Sequence, residues 1–365
     1  MKKLLCALLA VMLVVLCGCG GSNTDPQPTT QATQSTQAPT SATEPAQTPT
    51  TEPAMVYTNP LNGETLDAPF TNRIFAVSIN NLEAALPHVG VVDADIYMEM
   101  FVNGSVIRSL ALYSDIASVD SIGSVRSTRI IFNDLADRFS AFLAHAGGST
   151  PVLVDVNARG LSNKNIDTND STSYSFRNMD RKDAGYGWEH CLFIKGKGLW
   201  EYAKENNYTM TVDSNRTYGM TFTEDATPAD GETANKIDIT FTLNSGGSKT
   251  STMEYDTEKG GYRYYQYDQL MVDGNTGELE IYENVLMLLV KTHMTEGGYH
   301  VAEFTNSGSG EGYFACGGKI IPIQWHCAGD EYPLTFTTAD GQPLDLGVGR
   351  TYIGIGGLKS TLVYE

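Results

Sequence analysis

The chain of 365 residues carries 24 Lys and Arg against 43 Asp and Glu, a formal net charge of −19, with a hydrophobic share of 41% that is ordinary for a soluble protein. So acidic a surface disfavours nucleic acid and anionic lipid headgroups as general partners. Any anionic ligand must therefore be held by a local basic cluster.

Met1-Lys2-Lys3, an apolar run over residues 4–16 and then Cys17-Gly18-Cys19 follow the charged, hydrophobic and small-residue order of a secretory signal. The run is too short to span a bilayer stably. Residues 16–19 resemble the lipobox of bacterial lipoproteins. Cys19, preceded by small residues, is the expected lipidation site, and Cys17 fits worse because bulky Leu16 precedes it. The alternative is ordinary secretion with cleavage near Gly18. No second apolar run of spanning length follows, so the lipid is expected to be the sole anchor, on the extracytoplasmic face of the cell membrane.

Residues 20–54 are Thr, Gln, Pro, Ser and Ala without apolar periodicity, as in Thr29-Thr30-Gln31-Ala32-Thr33-Gln34-Ser35-Thr36. Such a segment cannot bury enough surface to repay its ordering entropy. As a flexible tether it would reach about 30 Å. The expected organisation is a signal over 1–18, a lipidated tether over 19–54, and two domains, 55–210 and 211–365, because the remainder exceeds the usual size of one core.

In the first of these, strand-like runs at 74–80, 94–101, 106–113 and 141–145 alternate with helices at 127–138 and 199–206, predicting an α/β layer. Ile131, Leu135 and Phe139 form the apolar stripe of the first helix, with Asp134, Asp137 and Arg138 off it. The polar stretch 167–187 reads as a surface loop. After residue 215, short β-rich runs at 236–243, 251–255, 262–267, 285–292, 299–304, 320–325 and 352–355 predict an antiparallel sandwich or barrel. The fold class is thus α+β overall, α/β first and β-rich second. Cys191, Cys316 and Cys327 remain in the globule, an odd number. A Cys316–Cys327 disulfide is permitted outside the cytoplasm, but a two-residue turn at Gly317-Gly318 would pair Cys316 with Lys319 instead.

The chemistry concentrates in two short motifs. Gly123-Ser124-Val125-Arg126-Ser127-Thr128-Arg129 runs into the first helix, whose unpaired N–H groups and dipole favour an anion and disfavour extra cations. Arg126 and Arg129 therefore need a counter-charge, which a bound phosphate or carboxylate would supply, as would Glu99 or a nearby Asp; Arg108 could share either role. His145-Ala146-Gly147-Gly148-Ser149 ends a strand where ligands collect in α/β sheets. As a lone motif it reads first as a glycine turn with a structural histidine and Ser149 as helix N-cap. A nucleophilic scheme would pair Ser149 or Cys191 with His145 or His190, with Asp167 orienting the imidazole, yet no nucleophile elbow or cysteine-protease signature is present. His145, His190, Cys191 and Asp167 include zinc-ligand types but lack paired spacing. No motif implies a metal or another cofactor. Alternating tyrosines at 262–267 could face a sugar, though such residues more often pack a sheet.

The lipobox and tether, followed by Ser78-Ile79-Asn80-Asn81, Ala94-Asp95-Ile96, the 123–129 motif and His145 to Ser149, resemble the YerB-like lipoproteins of Gram-positive bacteria. The resemblance extends to Asn284-Val285, Gly318-Lys319 and Trp325. It implies a two-domain envelope lipoprotein of unassigned role. Its polar motif residues fall on Asn81, Glu99, Arg108, Arg126, Ser127, Arg129, His145, Ser149, Asp167, Arg177 and His190, a hypothesis for one site. The chain departs from the pattern at Asn103-Gly104-Ser105, where an acidic residue before two glycines is usual. It departs again at Cys191, where asparagine usually follows the histidine, which weakens any role for that thiol. The expected function is binding of an anionic envelope ligand such as a cell-wall fragment; the alternatives are a hydrolase or transferase of envelope polymers and a structural module for a partner protein.

Overall fold

Phe75–Asn80 is a strand in which six consecutive residues are buried, so both of its faces are covered. It pairs antiparallel with Val106–Tyr113 and parallel with Phe142–His145, which pairs parallel with Asn165–Asp167. On the other side of Val106–Tyr113, the hairpin strand Ile96–Asn103 lies parallel to Thr351–Gly357, which lies parallel to Asn284–Val290. Gly308–Cys316, Lys319–Cys327, Leu334–Thr338 and Glu232–Thr233 complete an eleven-stranded mixed sheet. N-terminal and C-terminal strands are therefore laddered together in one layer. The computed structural model describes residues 56–103, 106–168, 173–242, 247–294, 300–302, 308–329 and 332–365. The expected signal, Cys19, the tether and the Gly104-Ser105 departure lie outside the described residues.

A second, all-antiparallel sheet of six strands packs on one face of the first. It contains Lys236–Thr242, Ser248–Asp256, Gly261–Gln266 and Thr361–Tyr364, with short strands at Gln269–Leu270 and Ile281–Tyr282. Period-two alternation directs Tyr97 and Phe101 toward Ile237, Phe241, Met253, Tyr262 and Tyr264 in one core. The intervening residues, Ile96, Met98, Met100 and Val102, enter a second core with α1. Thus Tyr262 and Tyr264 pack the interior. The purely antiparallel reading of the C-terminal half needs correction, because Asn284–Val290 and Thr351–Gly357 run parallel within the shared sheet.

All four α-helices of the described residues come from the N-terminal half: α1 Ile130–Arg138, α2 Thr150–Ala158, α3 Met179–Asp183 and α4 Gly196–Glu205. Helix α1 starts later than residue 127 because Val125 bridges Ile79 and the Arg126 amide bonds the Ser78 carbonyl, holding that segment extended. Its off-stripe residues Asp134, Asp137 and Arg138 are also buried. Arg159 and Lys164 cover the two aspartates, Arg159 pairing with Asp134 and Lys164 with Asp137. Within the 167–187 stretch, the described residues from 173 onward contain a strand and a helix rather than a plain loop. Ser175–Arg177 pairs with Leu192–Ile194, and Asn178 caps α3 by accepting the Arg181 amide. A three-residue strand is too short to show a period in sequence.

The hairpin turn at Gly317-Gly318 has positive φ at both residues, +60° and +77°, and pairs Cys316 with Lys319. No disulfide joins Cys191, Cys316 and Cys327. No helix among the described residues is long and apolar enough to cross a membrane.

Candidate functional site

The 123–129 segment lies across the C-terminal ends of Phe75–Asn80 and Phe142–His145. Four backbone bonds of 2.9 Å pin it there: Asn80 N–H to Ser124 O, Arg126 N–H to Ser78 O, Ala146 N–H to Arg126 O and Thr128 N–H to Gly147 O. The strand ends therefore set the positions of its side chains. The Ser127 carbonyl accepts from Arg108 Nη1 at 2.8 Å, Arg129 Nη1 at 3.3 Å and Ser78 Oγ at 3.3 Å. Two guanidinium groups thus converge on one oxygen. Arg126 Nη1 donates to the Glu189 carbonyl at 3.2 Å, while its Nε is buried without a hydrogen-bond partner among the described residues. Burial pushes the Arg126 pKa down; the Glu189 carboxylate opposes this, and the Arg177 cation reinforces it. Arg177 itself stacks over Trp188, 4.6 Å from the ring centroid, and donates to the Trp188 carbonyl at 2.8 Å.

The histidines are held separately at this edge. His145 is buried, with Nδ1 3.0 Å from the Gly147 carbonyl, so the neutral ring carries its proton there. Asp167 Oδ1 is 3.9 Å from the same nitrogen and accepts the Gly147 amide at 2.7 Å. Burial lowers the His145 pKa, against the pull of Asp167. His190 Nδ1 meets Asn80 Nδ2 at 2.7 Å, and its Nε2 lies 3.8 Å from Glu189 Oε1. Its pKa is also lowered, first by burial, with Glu189 opposing. Asn80 and Glu189 were not among the expected site residues. Their adjacency to Asn81 and His190 was the only sequence signal for them.

Glu99 does not counter-charge the arginines. In the ladder Glu99 pairs with Ser109 and Met100 with Arg108, so the pleat turns Glu99 and Arg108 to opposite faces. Glu99 is fully buried between the two sheets. Its Oε2 accepts Tyr352 OH at 2.5 Å, Ser251 Oγ at 2.7 Å and Tyr264 OH at 3.1 Å. Its Oε1 accepts Asn81 Nδ2 at 2.8 Å and pairs with the Lys249 ammonium. Lys249 also donates to Gln266 Oε1 at 2.6 Å and lies over the Tyr267 ring. Burial pushes the Glu99 carboxyl up, but Lys249 and the hydroxyl donors outweigh it and hold the group below its ordinary range. The eleven motif residues therefore separate into a sheet-edge set and a buried pair, Asn81 and Glu99. Lys249, Ser251, Tyr264 and Tyr352 were missed. Lys249 shares the inward phase of Ser251 and Met253, a signal visible in Ser248–Asp256 once that strand is recognised.

The other groupings do not assemble. Ser149 is the N-cap residue of α2, as expected, but its hydroxyl makes no cap bond and finds no hydrogen-bond partner among the described residues. Cys191 Sγ donates to the Gly187 carbonyl at 3.3 Å rather than to a histidine. Among the described residues, no three His, Cys, Asp or Glu side chains gather as a metal site.

Residues 61–209 match the model described as "Protein of unknown function (DUF3048) N-terminal domain", and residues 238–353 match the C-terminal domain of the same family. The Bacillus subtilis (strain 168) protein named "Putative lipoprotein YerB" is 24% identical over 300 residues, covering 81% of this chain and 85% of that one. The crystal structure of YerB protein from Bacillus subtilis superposes with a TM-score of 0.70 at 21% identity, covering 84% of this chain and 99% of that chain. Fold and matched segments together define a β-rich protein built from the family's N-terminal and C-terminal segments, of unassigned function. The chain belongs to the YerB-like family.

Proposed function

We propose that this is a lipid-anchored binding protein of the extracytoplasmic membrane face that holds an anionic group of the cell envelope, such as a cell-wall fragment, at the 123–129 crossing. Cys19 carries the lipid, and residues 20–54 give the globule reach into the wall zone. Arg126 is the principal clamp, with Arg108, Ser127, Arg129 and Arg177 beside it.

The observation that carries this reading is the setting of Arg126. Its backbone is fixed on both sides, its guanidinium leans on a neutral carbonyl, and its Nε is buried and unpartnered. A buried polar group of this kind is costly until a partner arrives, and a phosphate or carboxylate would meet it with charge-assisted bonds. The acidic remainder of the surface would then confine anion binding to this spot.

Thermal shift of residues 55–365 against inorganic phosphate, glycerol phosphate and N-acetylmuramic acid tests it. A specific ligand at a hundred times its Kd stabilises by about 2.7 kcal/mol. The expected result is a rise in Tm with at least one of these that Arg126→Ala abolishes. No rise with any of the three, or an equal rise in the variant, overturns the reading.

A further inference from the structure

The buried Glu99 cluster contains a reactive arrangement that anion binding at the sheet edge does not use. One carboxylate oxygen, Glu99 Oε1, touches two nitrogens, the Lys249 ammonium and the Asn81 side-chain amide, the latter at 2.8 Å. The other oxygen, Oε2, is occupied by the hydroxyls of Ser251, Tyr264 and Tyr352, which hold the carboxylate in place. The two nitrogens are therefore at most two hydrogen-bond lengths apart, about 6 Å. Asn81 and Glu99 are fully buried and the Lys249 side chain is 8% exposed. Asn81 Oδ1 makes no hydrogen bond among the described residues, so its amide carbonyl is not committed elsewhere. Tyrosine rings 97, 264 and 352 pack against one another with centroids 5.6 to 6.2 Å apart, keeping water away.

We propose that Lys249 and Asn81 become joined by an isopeptide bond, with Glu99 carrying the protons. Glu99 Oε1 takes a proton from the Lys249 ammonium, freeing the nitrogen lone pair to attack Asn81 Cγ. The new Nζ–Cγ bond forms as the Cγ–Nδ2 bond breaks. Glu99 passes protons from the attacking nitrogen to the leaving one, to which it is already hydrogen-bonded. Ammonium departs, the carboxylate is restored and a neutral amide remains, so atoms and charge balance without an oxidant or cofactor.

Three physical arguments support this. A desolvated lysine amine is a competent nucleophile, and burial does lower the Lys249 pKa while Glu99 opposes it. A carboxylate in contact with both nucleophile and leaving group is placed for base and then acid work. Fixed proximity replaces the high concentration that amide exchange needs in water. The product ties the Ser248–Asp256 strand of the outer sheet to the end of Phe75–Asn80 in the central sheet. Such a covalent tie between the two sheets resists unfolding.

Intact-mass measurement of purified residues 55–365 decides it. The expected mass is lower than the sequence mass by one ammonia, and digestion yields a branched peptide linking the Asn81 and Lys249 fragments. Glu99→Ala, Asn81→Ala and Lys249→Ala are expected at their full sequence masses with no branched peptide. A wild-type protein at full mass overturns the proposal whether or not the variants fold. So does an ammonia deficit without a branched peptide that mild alkali reverses, as for a succinimide at Asn62-Gly63. A branched peptide persisting in Glu99→Ala removes Glu99 from the reaction and overturns its assigned role.

Discussion

Glu99 and Arg108 stand one ladder step apart on adjacent strands yet project from opposite faces of the central sheet. Arg108 reaches the Ser127 carbonyl at the sheet edge, and Glu99 enters the core between the sheets. The two charges therefore face separate networks on opposite sides of the sheet. A double-mutant cycle of Glu99→Gln and Arg108→Gln, measured by chemical denaturation, is expected to be additive within about 0.5 kcal/mol. A coupling energy well above that would place both charges in one site.

The same two residues mark what the sequence could and could not reveal. Element positions were legible because period-two alternation and apolar runs are local properties, and Val106–Tyr113 spans the expected 106–113. The Gly317-Gly318 turn was legible because only glycine adopts positive φ twice without cost. Which face a charge takes follows from ladder register, and register depends on partners remote in sequence. Lys249 meets Glu99 across 150 residues, a pairing that no local pattern encodes. The parallel pairing of Ile96–Asn103 with Thr351–Gly357, which merges the two halves into one sheet, was hidden for the same reason. The sheet-edge set was legible as a group because residues 123–129 and 145–149 each lie at a strand or helix end.

Burial holds the pKa values of His145 and His190 below the ordinary histidine range in the folded chain. Unfolded, each takes up a proton near pH 6.5. As pH falls below that value the unfolded state binds more protons, so each histidine removes stability, by up to about 1.4 kcal/mol per pH unit until its folded form also titrates. The contribution is present above pH 6.5 and lost toward pH 5. Asp93, Asp95 and Glu283 are pushed upward by burial and oppose this slope on further acidification. The test is therefore comparative: denaturant midpoints between pH 7 and 5 should fall less steeply in His145→Gln and His190→Gln than in the parent. Equal slopes would mean that neither ring is neutral when folded.

Ser149 holds the N-cap position of α2 without a side-chain cap bond, and its hydroxyl is buried with no hydrogen-bond partner among the described residues. Removing a cap that works costs about 1 kcal/mol. Deleting an unsatisfied hydroxyl relieves a desolvation penalty instead. Ser149→Ala should therefore leave stability unchanged or slightly raised, as read from the denaturation midpoint. A loss near the ordinary cap value would show that the hydroxyl bonds a helix amide.

Cys316 lies at the turn end of its hairpin, opposite Lys319, and Cys327 at the open end, opposite Gly308. A strand of this length separates them by about 27 Å, far beyond the roughly 7 Å that a disulfide allows between Cα atoms. Burial also pushes the Cys316 thiol up to about 11, suppressing the thiolate. Residues 55–365 prepared without reductant should titrate three thiols when denatured and react slowly when folded. A count of one would demonstrate a bridge, and mapping it to Cys316 and Cys327 would demand a different hairpin register.

Gly196 opens α4, and alanine there would gain about 1 kcal/mol of helix propensity in an isolated peptide. In the folded chain the opposite sign is expected. A Cβ at this position would stand 2.1 Å from the Ile116 carbonyl oxygen and 2.6 Å from that of Val119, both backbone atoms that cannot swing aside. The close approach is itself bonded, since the Gly196 amide donates to Val119 O at 3.1 Å. Relieving the clash requires α4 to move off the 116–119 turn, drawing Leu199 and Ala203 out of the core they share with Ile116. Overpacking of this kind costs about 1–3 kcal/mol, more than the propensity returns. Gly196→Ala should therefore lower the denaturation midpoint and increase amide exchange along Gly196–Glu205. A stabilised variant would mean that α4 is not docked through this contact.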